Sequence, residues 1–332
     1  MARGGIMNDQ IFRSCLAGQM RRFVELRKFT GKDYDGQALN LSRFDRFLTR
    51  QRWAGRWISQ DIIQRYRLSL ASFCPATQRC RMPVVRQFCI HLSAFEPRCY
   101  IPVKGEWTMH AVPQRLPFIF TKAQAGALAA EAGRLSALPF ALRPHVFQTL
   151  FGLLYTTGLR ISEALSLNVG DVDLQRRRLF VLKGKFGKQR WLPLSGSTCA
   201  RLQAYLHRRL PGCSEGADSP LFVSLGGKRL SKGSAEGNFR CLVRACGIGQ
   251  DARGHATPHS LRHSFACHCL LAWYRQGVDV NARLPVLATY MGHADMRYTY
   301  RYLHATPELL GEADRRFRAH YQQITNTEVT YE

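Results

Sequence analysis

Apolar residues return at three-and-four spacing along much of the chain, the mark of helices that bury one face. From Asn8 to Phe29 the set Ile11, Phe12, Cys15, Leu16, Met20, Phe23 and Val24 predicts a first helix. Gly31 and Gly36 break the pattern, and Leu41, Phe44, Phe47 and Leu48 predict a second, shorter one. Ser59 stands where its hydroxyl can accept a first-turn N–H, opening a third helix through Ile62, Ile63, Tyr66 and Leu70. Pro75 precedes a fourth, through Val84, Val85, Phe88, Cys89 and Leu92. Pro83 has no N–H to donate and should kink that helix or delay its start. Together these helices make a module over residues 1–98, with Arg79, Arg81 and Arg86 forming a basic face that is either solvated or turned toward an anion.

Residues 99–118 carry Pro102, Gly105, Pro113 and Pro117 with little periodicity, which predicts a linker. Residues 119–332 mix two periods. Thr121-Lys-Ala-Gln124 is a capping box opening a helix through Ala125 to Ala130. Pro144 precedes a run of Val146, Leu150, Leu153 and Leu154 that stops at Thr157-Gly158, and Leu159 to Leu165 starts another helix with Arg160 in its first turn. Leu179–Leu182 and Arg190–Leu194 read as two strands, joined by Lys183-Gly-Lys-Phe-Gly-Lys188 into a β-hairpin. A helix from Thr198 to Leu210 leads into a loop rich in Gly and Ser. Pro258 then opens a helix on which His259 and Arg262, three apart, share a face. The last amphipathic stretch runs from Pro307 to Tyr321. The expected fold class is mainly α with a small antiparallel β-sheet.

Charge narrows the partner. Among 332 residues, 48 Lys and Arg face 23 Asp and Glu, a net charge of +25. Such an excess implies a polyanion, because displacing counterions from phosphates favours binding. No apolar run approaches the ~20 residues of a membrane span, and the N-terminus lacks the apolar core of a signal peptide, so nucleic acid is favoured over a membrane. The 11 cysteines have no C-x-x-C spacing. Cys267 and Cys269 near His263 and His268 fit a metal site poorly, since one intervening residue on a helix points the pair apart. They are read as small buried apolar residues of a reducing cytoplasm.

Candidate chemistry lies in an ordered set. His293 stands nine residues ahead of Tyr302, with Tyr298 and Tyr300 between them. Singly, each feature has a bland reading: a helix arginine is usually ion-paired, a hairpin lysine solvated, a tyrosine packed in a core. Their order along the chain, an arginine, a lysine-bearing hairpin, His-x-x-Arg, a histidine and then tyrosines, changes those odds.

Thr157-Gly-Leu-Arg-Ile-Ser-Glu-Ala-Leu165, Lys183 to Arg190, His259-Ser-Leu-Arg-His263 and Gly292-His293 through Tyr302 resemble the tyrosine recombinase (phage integrase) family, over roughly Leu116 to Ala319. Tyr300-Arg-Tyr-Leu-His-Ala-Thr-Pro-Glu-Leu309 further resembles integrases carried by transposon-like elements. The resemblance implies a core-binding domain in residues 1–98 and a catalytic α+β domain in 119–332. It implies Arg160 and Arg262 as catalytic arginines, Glu163 as accessory acid, Lys185 as hairpin lysine with Lys183 as fallback, His259 of the His-x-x-Arg pair, His293 and the nucleophile Tyr302. The stretch from Cys269 to Met291 is longer than the usual connection, and Tyr298 and Tyr300 should face away from the site.

The residue types suit the chemistry. A tyrosine hydroxyl attacking a phosphodiester builds negative charge on non-bridging oxygens, which two arginines can clamp with planar forks. Tyrosine, with an ordinary pKa of about 10, needs cations or a base near it; His259 is the candidate acceptor and Lys185 the acid for the leaving 5′-hydroxyl. Neither a P-loop nor paired carboxylates for Mg²⁺ is present, so no cofactor is expected. The expected activity is site-specific recombination of double-stranded DNA in the cytoplasm, integrating or excising a mobile element. A homo-tetramer on paired sites would carry it out, with room for accessory DNA-bending proteins. The rivals are relaxation by a type IB topoisomerase and site binding without cleavage.

Overall fold

The computed structural model describes residues 11–31, 34–103, 117–138, 141–182, 189–209, 216–248, 250–251, 254–293, 295–303 and 306–327. The chain forms two compact units, Met1–Gln114 and Arg115–Glu332. It is mainly helical with a small three-stranded antiparallel sheet. Among the described residues no helix is long and apolar enough to cross a membrane.

In the first unit α1 (Ala17–Phe29), α2 (Asp35–Arg50), α3 (Gln60–Ser69) and α4 (Pro75–Ser93) surround a core that includes Phe23, Phe44, Ile62, Tyr66, Val85 and Phe88. The first helix begins later than its periodicity suggests. The buried Asp45 carboxylate accepts the N–H groups of Arg13 (2.7 Å) and Ser14 (3.0 Å), holding that segment outside the helix. The second is longer than expected, because Gly36 lies within its first turn and burial of Ala38 and Leu41 outweighs the glycine. Ser59 accepts from the Ile62 N–H at 3.3 Å, the anticipated cap, worth about 1 kcal/mol. Pro83 neither delays nor ends α4. It sits on the exposed side, where water can take the carbonyl it leaves unpaired. The basic face is partly committed within the unit: Arg86 donates to the Pro102 carbonyl at 2.9 Å, and Arg81 lies over the Phe73 ring.

In the second unit, α5 (Lys122–Gly133) starts with both capping-box bonds, Thr121 with Gln124, in place. It packs beside α6 (Arg143–Thr157), which is followed by α7 (Ile161–Ser166). The sheet order is β1 (Val172–Asp173), β2 (Arg178–Val181), β3 (Arg190–Pro193), all antiparallel, with Leu179 opposite Leu192 and Phe180 opposite Trp191. Strand β1 was not foreseen. The lysine connection, residues 183–188, lies outside the described residues. After α8 (Gly196–Arg209) the expected loop contains α9 (Lys232–Ala245). Its glycines and serines mask the helix, but Ala235, Phe239, Leu242 and Val243 are buried, and Phe239 meets Phe151 edge-on at 5.1 Å. Tertiary burial here overrides propensity. A short β4 (Gln250–Asp251) and β5 (Gly254–His255) precede α10 (Pro258–Arg275), α11 (Val280–Met291), the single turn α12 (Arg297–Tyr300) and α13 (Pro307–Thr327).

The cysteine expectation holds only in part. Cys89, Cys99 and Cys267 are buried, but Cys15, Cys74, Cys80 and Cys241 are exposed. Among the described residues no His, Cys, Asp and Glu group could hold a metal.

Candidate active site

Two left-handed helix ends meet at the site. Helix α6 ends on Gly158, whose φ of +61° only glycine adopts without strain. A Cβ there would lie 2.5 Å from Phe265 Cδ1. Gly158→Ala is expected to cost about 2 kcal/mol from the left-handed backbone alone, lowering the melting temperature by roughly 4–8 °C in a unit of this size. Thermal unfolding followed by circular dichroism would measure it, and an unchanged midpoint would contradict the account.

Arg160 follows in extended conformation at the start of α7. Glu163, one turn on and 2% exposed, accepts the Arg160 N–H at 3.0 Å and its guanidinium at 2.7 Å. Arg190, at the head of β3, grips the same carboxylate with Nη1 at 3.2 Å and Nη2 at 3.0 Å, and its Nε donates to the Tyr290 carbonyl at 2.8 Å. Burial pushes the Glu163 carboxyl up, but the bonds and charges of Arg190 and Arg160 outweigh it and hold the group below its ordinary value.

Arg262, on α10 and 1% exposed, donates at 2.6 Å to the Gly158 carbonyl and at 2.6 Å to the Met291 carbonyl. One guanidinium thus closes the C-terminal ends of α6 and α11, where the helix dipoles favour a cation. Burial and the neighbouring Arg160 lower it to about 10, still charged at neutral pH. Arg160 Nη2 donates to the next carbonyl, Gly292, at 3.0 Å. Gly292 ends α11 with φ +66°, and a Cβ there would come within 2.9 Å of the Arg190 guanidinium. The next residue, His293, bonds Thr299 Oγ1 through Nδ1 at 2.7 Å, and its ring lies nearly parallel to Tyr302.

Tyr302 is 4% exposed, whereas Tyr298 and Tyr300 are 54% and 47% exposed. The latter two are open to solvent, but Tyr298 does not turn wholly away from the site, since its ring lies 6.2 Å from that of His293. The Tyr302 hydroxyl lies 3.1 Å from His263 Nδ1, and the His263 ring meets His259 edge-on at 4.5 Å. Burial raises the Tyr302 hydroxyl above its ordinary value against the pull of Arg262 and Arg160. Burial, then His259 and Arg262, drive His263 down to about 3. Burial, then Arg262 and Arg160, lower His293 to about 4. His259 is lowered by the surrounding protein, Arg262 and Arg160, although its exposed position lets water temper the shift.

The sequence matches the phage integrase family over residues 126–308. The chain belongs to the phage integrase family. The integrase/recombinase y4rB of Sinorhizobium fredii is 36% identical over 255 residues, 76% of this chain and 81% of that one. The integrase/recombinase y4rE of the same organism is 31% identical over 92% of this chain and 96% of its own. Among solved structures, the Tn1549 transposon integrase in complex with a circular intermediate DNA superposes with a TM-score of 0.65 at 18% identity, covering 91% of this chain and 98% of that one. This phage integrase family member is a tyrosine recombinase, and site-specific recombination is favoured over DNA relaxation or binding without cleavage.

Within this recombinase the structure brings together Arg160, Glu163, His259, Arg262, His293 and Tyr302. Lys185, with its fallback Lys183, lies outside the described residues. Two site residues escaped the sequence reading. Arg190 enters there only as the start of a predicted strand and the end of the lysine segment, yet it shares Glu163 with Arg160. His263 was weighed only against a metal cluster. Its signal was the four-residue spacing from His259, which puts both imidazoles on one helix face.

Proposed function

We propose that this recombinase cuts and rejoins double-stranded DNA at specific sites, integrating or excising a mobile element, with Tyr302 as the nucleophile. The observation that carries this reading is the run Met291-Gly292-His293. Its first two carbonyls fix Arg262 and Arg160, and its third residue faces the Tyr302 ring. A guanidinium has more N–H groups than these bonds use, so both arginines keep donors for the non-bridging oxygens of a phosphate. His293 and His259 add donors to the same anion. Preorganised donors of this kind are worth about 3–4 kcal/mol each in the transition state. Glu163 positions Arg160, and Lys185 protonates the departing 5′-oxygen. The phosphotyrosyl link conserves the bond energy until a second 5′-hydroxyl attacks, so no cofactor is needed.

The helical unit within residues 1–98 serves as the core-binding domain, joined by the 99–118 linker to the catalytic domain, and each unit binds the duplex. Four protomers act on two sites, with accessory proteins free to bend the DNA. Helix α13 supports the assembly. While Arg316 ties it to the Tyr274 carbonyl of α10, Leu310, Phe317 and Tyr321 are exposed, an apolar set suited to a neighbouring protomer. The described cysteines are free thiols, as suits the cytoplasm.

A nicked suicide duplex tests the reading, since loss of the short 5′-ended strand traps the enzyme on DNA. The wild-type chain should give a DNA-linked band that survives denaturation. Lys185→Ala should lose cleavage by about 10²–10⁴-fold and recover it on a 5′-thiol leaving group, which needs little acid. Recovery by Lys183→Ala instead would move the acid to Lys183, and no covalent band from the wild type would end the reading.

A further inference from the structure

We infer that His263 is a further catalytic residue of this recombinase, taking the Tyr302 proton at its Nδ1 as the phenolic oxygen attacks phosphorus. The inference rests on Tyr302 being the nucleophile. The Tyr302 hydroxyl lies 3.1 Å from His263 Nδ1, within reach for direct proton transfer. His259 instead stands edge-on to His263, on the exposed side of the site. The four-residue spacing on α10 therefore divides the labour: the outer imidazole meets the phosphate, the inner one the nucleophile.

The surroundings set the resting state. His263 is packed among His259 and Arg262 of its own helix, with His293 after α11 and Arg301 after α12 adding to the positive field. Cys267, a turn farther along α10, also faces Tyr302. Burial and these charges keep His263 neutral, with Nε2 carrying its proton and Nδ1 open to accept. Burial also keeps Tyr302 protonated, so without DNA the pair is a latched hydroxyl and a dormant base. A phosphodiester entering between Arg160 and Arg262 brings the negative charge that offsets the arginines and lets an imidazolium form. In the cleavage step the Tyr302 O–H proton passes to His263 Nδ1 and the Tyr302 oxygen–phosphorus bond forms. The bond from phosphorus to the 5′-oxygen breaks, and that oxygen takes its proton from Lys185. Rejoining reverses each transfer, returning the His263 proton to Tyr302.

Single-turnover cleavage of the nicked duplex over a range of pH tests this, with Tyr302→Phe as control. A covalent band from Tyr302→Phe would overturn the nucleophile assignment itself. With that control blank, His263→Gln should bind the duplex as the wild type does and cleave at least about 100-fold more slowly at neutral pH. Its rate should climb about tenfold per pH unit as hydroxide replaces the lost base, while the wild type stays flatter. A purely structural role would lower the rate equally at every pH. That outcome, a rate within a few-fold of wild type, or the steep profile appearing in His259→Gln instead, would overturn the inference. Should His263→Gln not fold, nitrogen NMR of the wild-type histidines decides. His263 is expected as the neutral Nε2–H tautomer without DNA and as imidazolium in the covalent adduct, and a neutral His263 in the adduct would refute the role.

Discussion

Tyr302→Phe is expected to abolish the DNA-linked adduct, a loss on the scale of about 10⁶-fold when a nucleophile is removed, with DNA binding retained. The structure explains why so large a chemical effect comes with a small structural one. The ring belongs to a packed cluster with Ala266, Cys267, Leu287, Met291 and Leu309, all of which a phenylalanine still fills. The hydroxyl contributes its bond to His263 Nδ1, and losing that bond costs about 1 kcal/mol. Neither arginine depends on Tyr302 for position, since Arg160 and Arg262 are held by Glu163 and by the carbonyls of Gly158, Met291 and Gly292. The anion clamp therefore stays, and filter binding of the duplex should match the wild type. The exposed Tyr298 and Tyr300 serve as controls. Phenylalanine at either should leave the adduct in place, and an adduct retained by Tyr302→Phe would transfer the nucleophile to one of them.

What the residue pattern reveals and what it hides divide along the line between local and tertiary causes. The cap at Ser59, the box at Thr121 and Gln124, the stop at Gly158 and the start at Pro258 are consequences of backbone groups within a few residues, and each stands where the pattern puts it. Helix α9 and the two-residue β1 depend on partners distant in sequence. Phe239 has its reason only against Phe151, and Val172 only opposite Leu179. The site divides in the same way. Arg160, Arg262 and Tyr302 are legible because their chemistry and order are unusual together. Arg190 and His263 are not, because an arginine at a strand start and a second histidine on a helix acquire meaning only from Glu163 and Tyr302, which folding brings to them.

Glu163→Gln is expected to be the most destabilising single change in the site. Two guanidiniums share this carboxylate, and all three side chains are at most 20% exposed. Removing the charge leaves Arg160 and Arg190 as like cations with no acid between them, the situation in which breaking a buried ion pair costs about 3–5 kcal/mol. The amide can still accept one bond, so glutamine separates the loss of charge from the loss of volume. The pH dependence gives an independent check. The folded carboxyl titrates below its ordinary value, so its contribution is fully present above the unfolded value of about 4.3 and is lost as pH falls through the lower folded one. Chemical denaturation should show the gap between wild type and Glu163→Gln at full size at pH 7 and closing on acidification below pH 4.3 or so. A gap that is constant through that range would mean the carboxylate's charge does not hold the arginines. Cleavage should suffer with stability, because Arg160 loses the acid that aims it while Arg262, fixed by two helix ends, does not. Arg160 and Glu163 variants should then show a common defect that Arg262 variants add to rather than share.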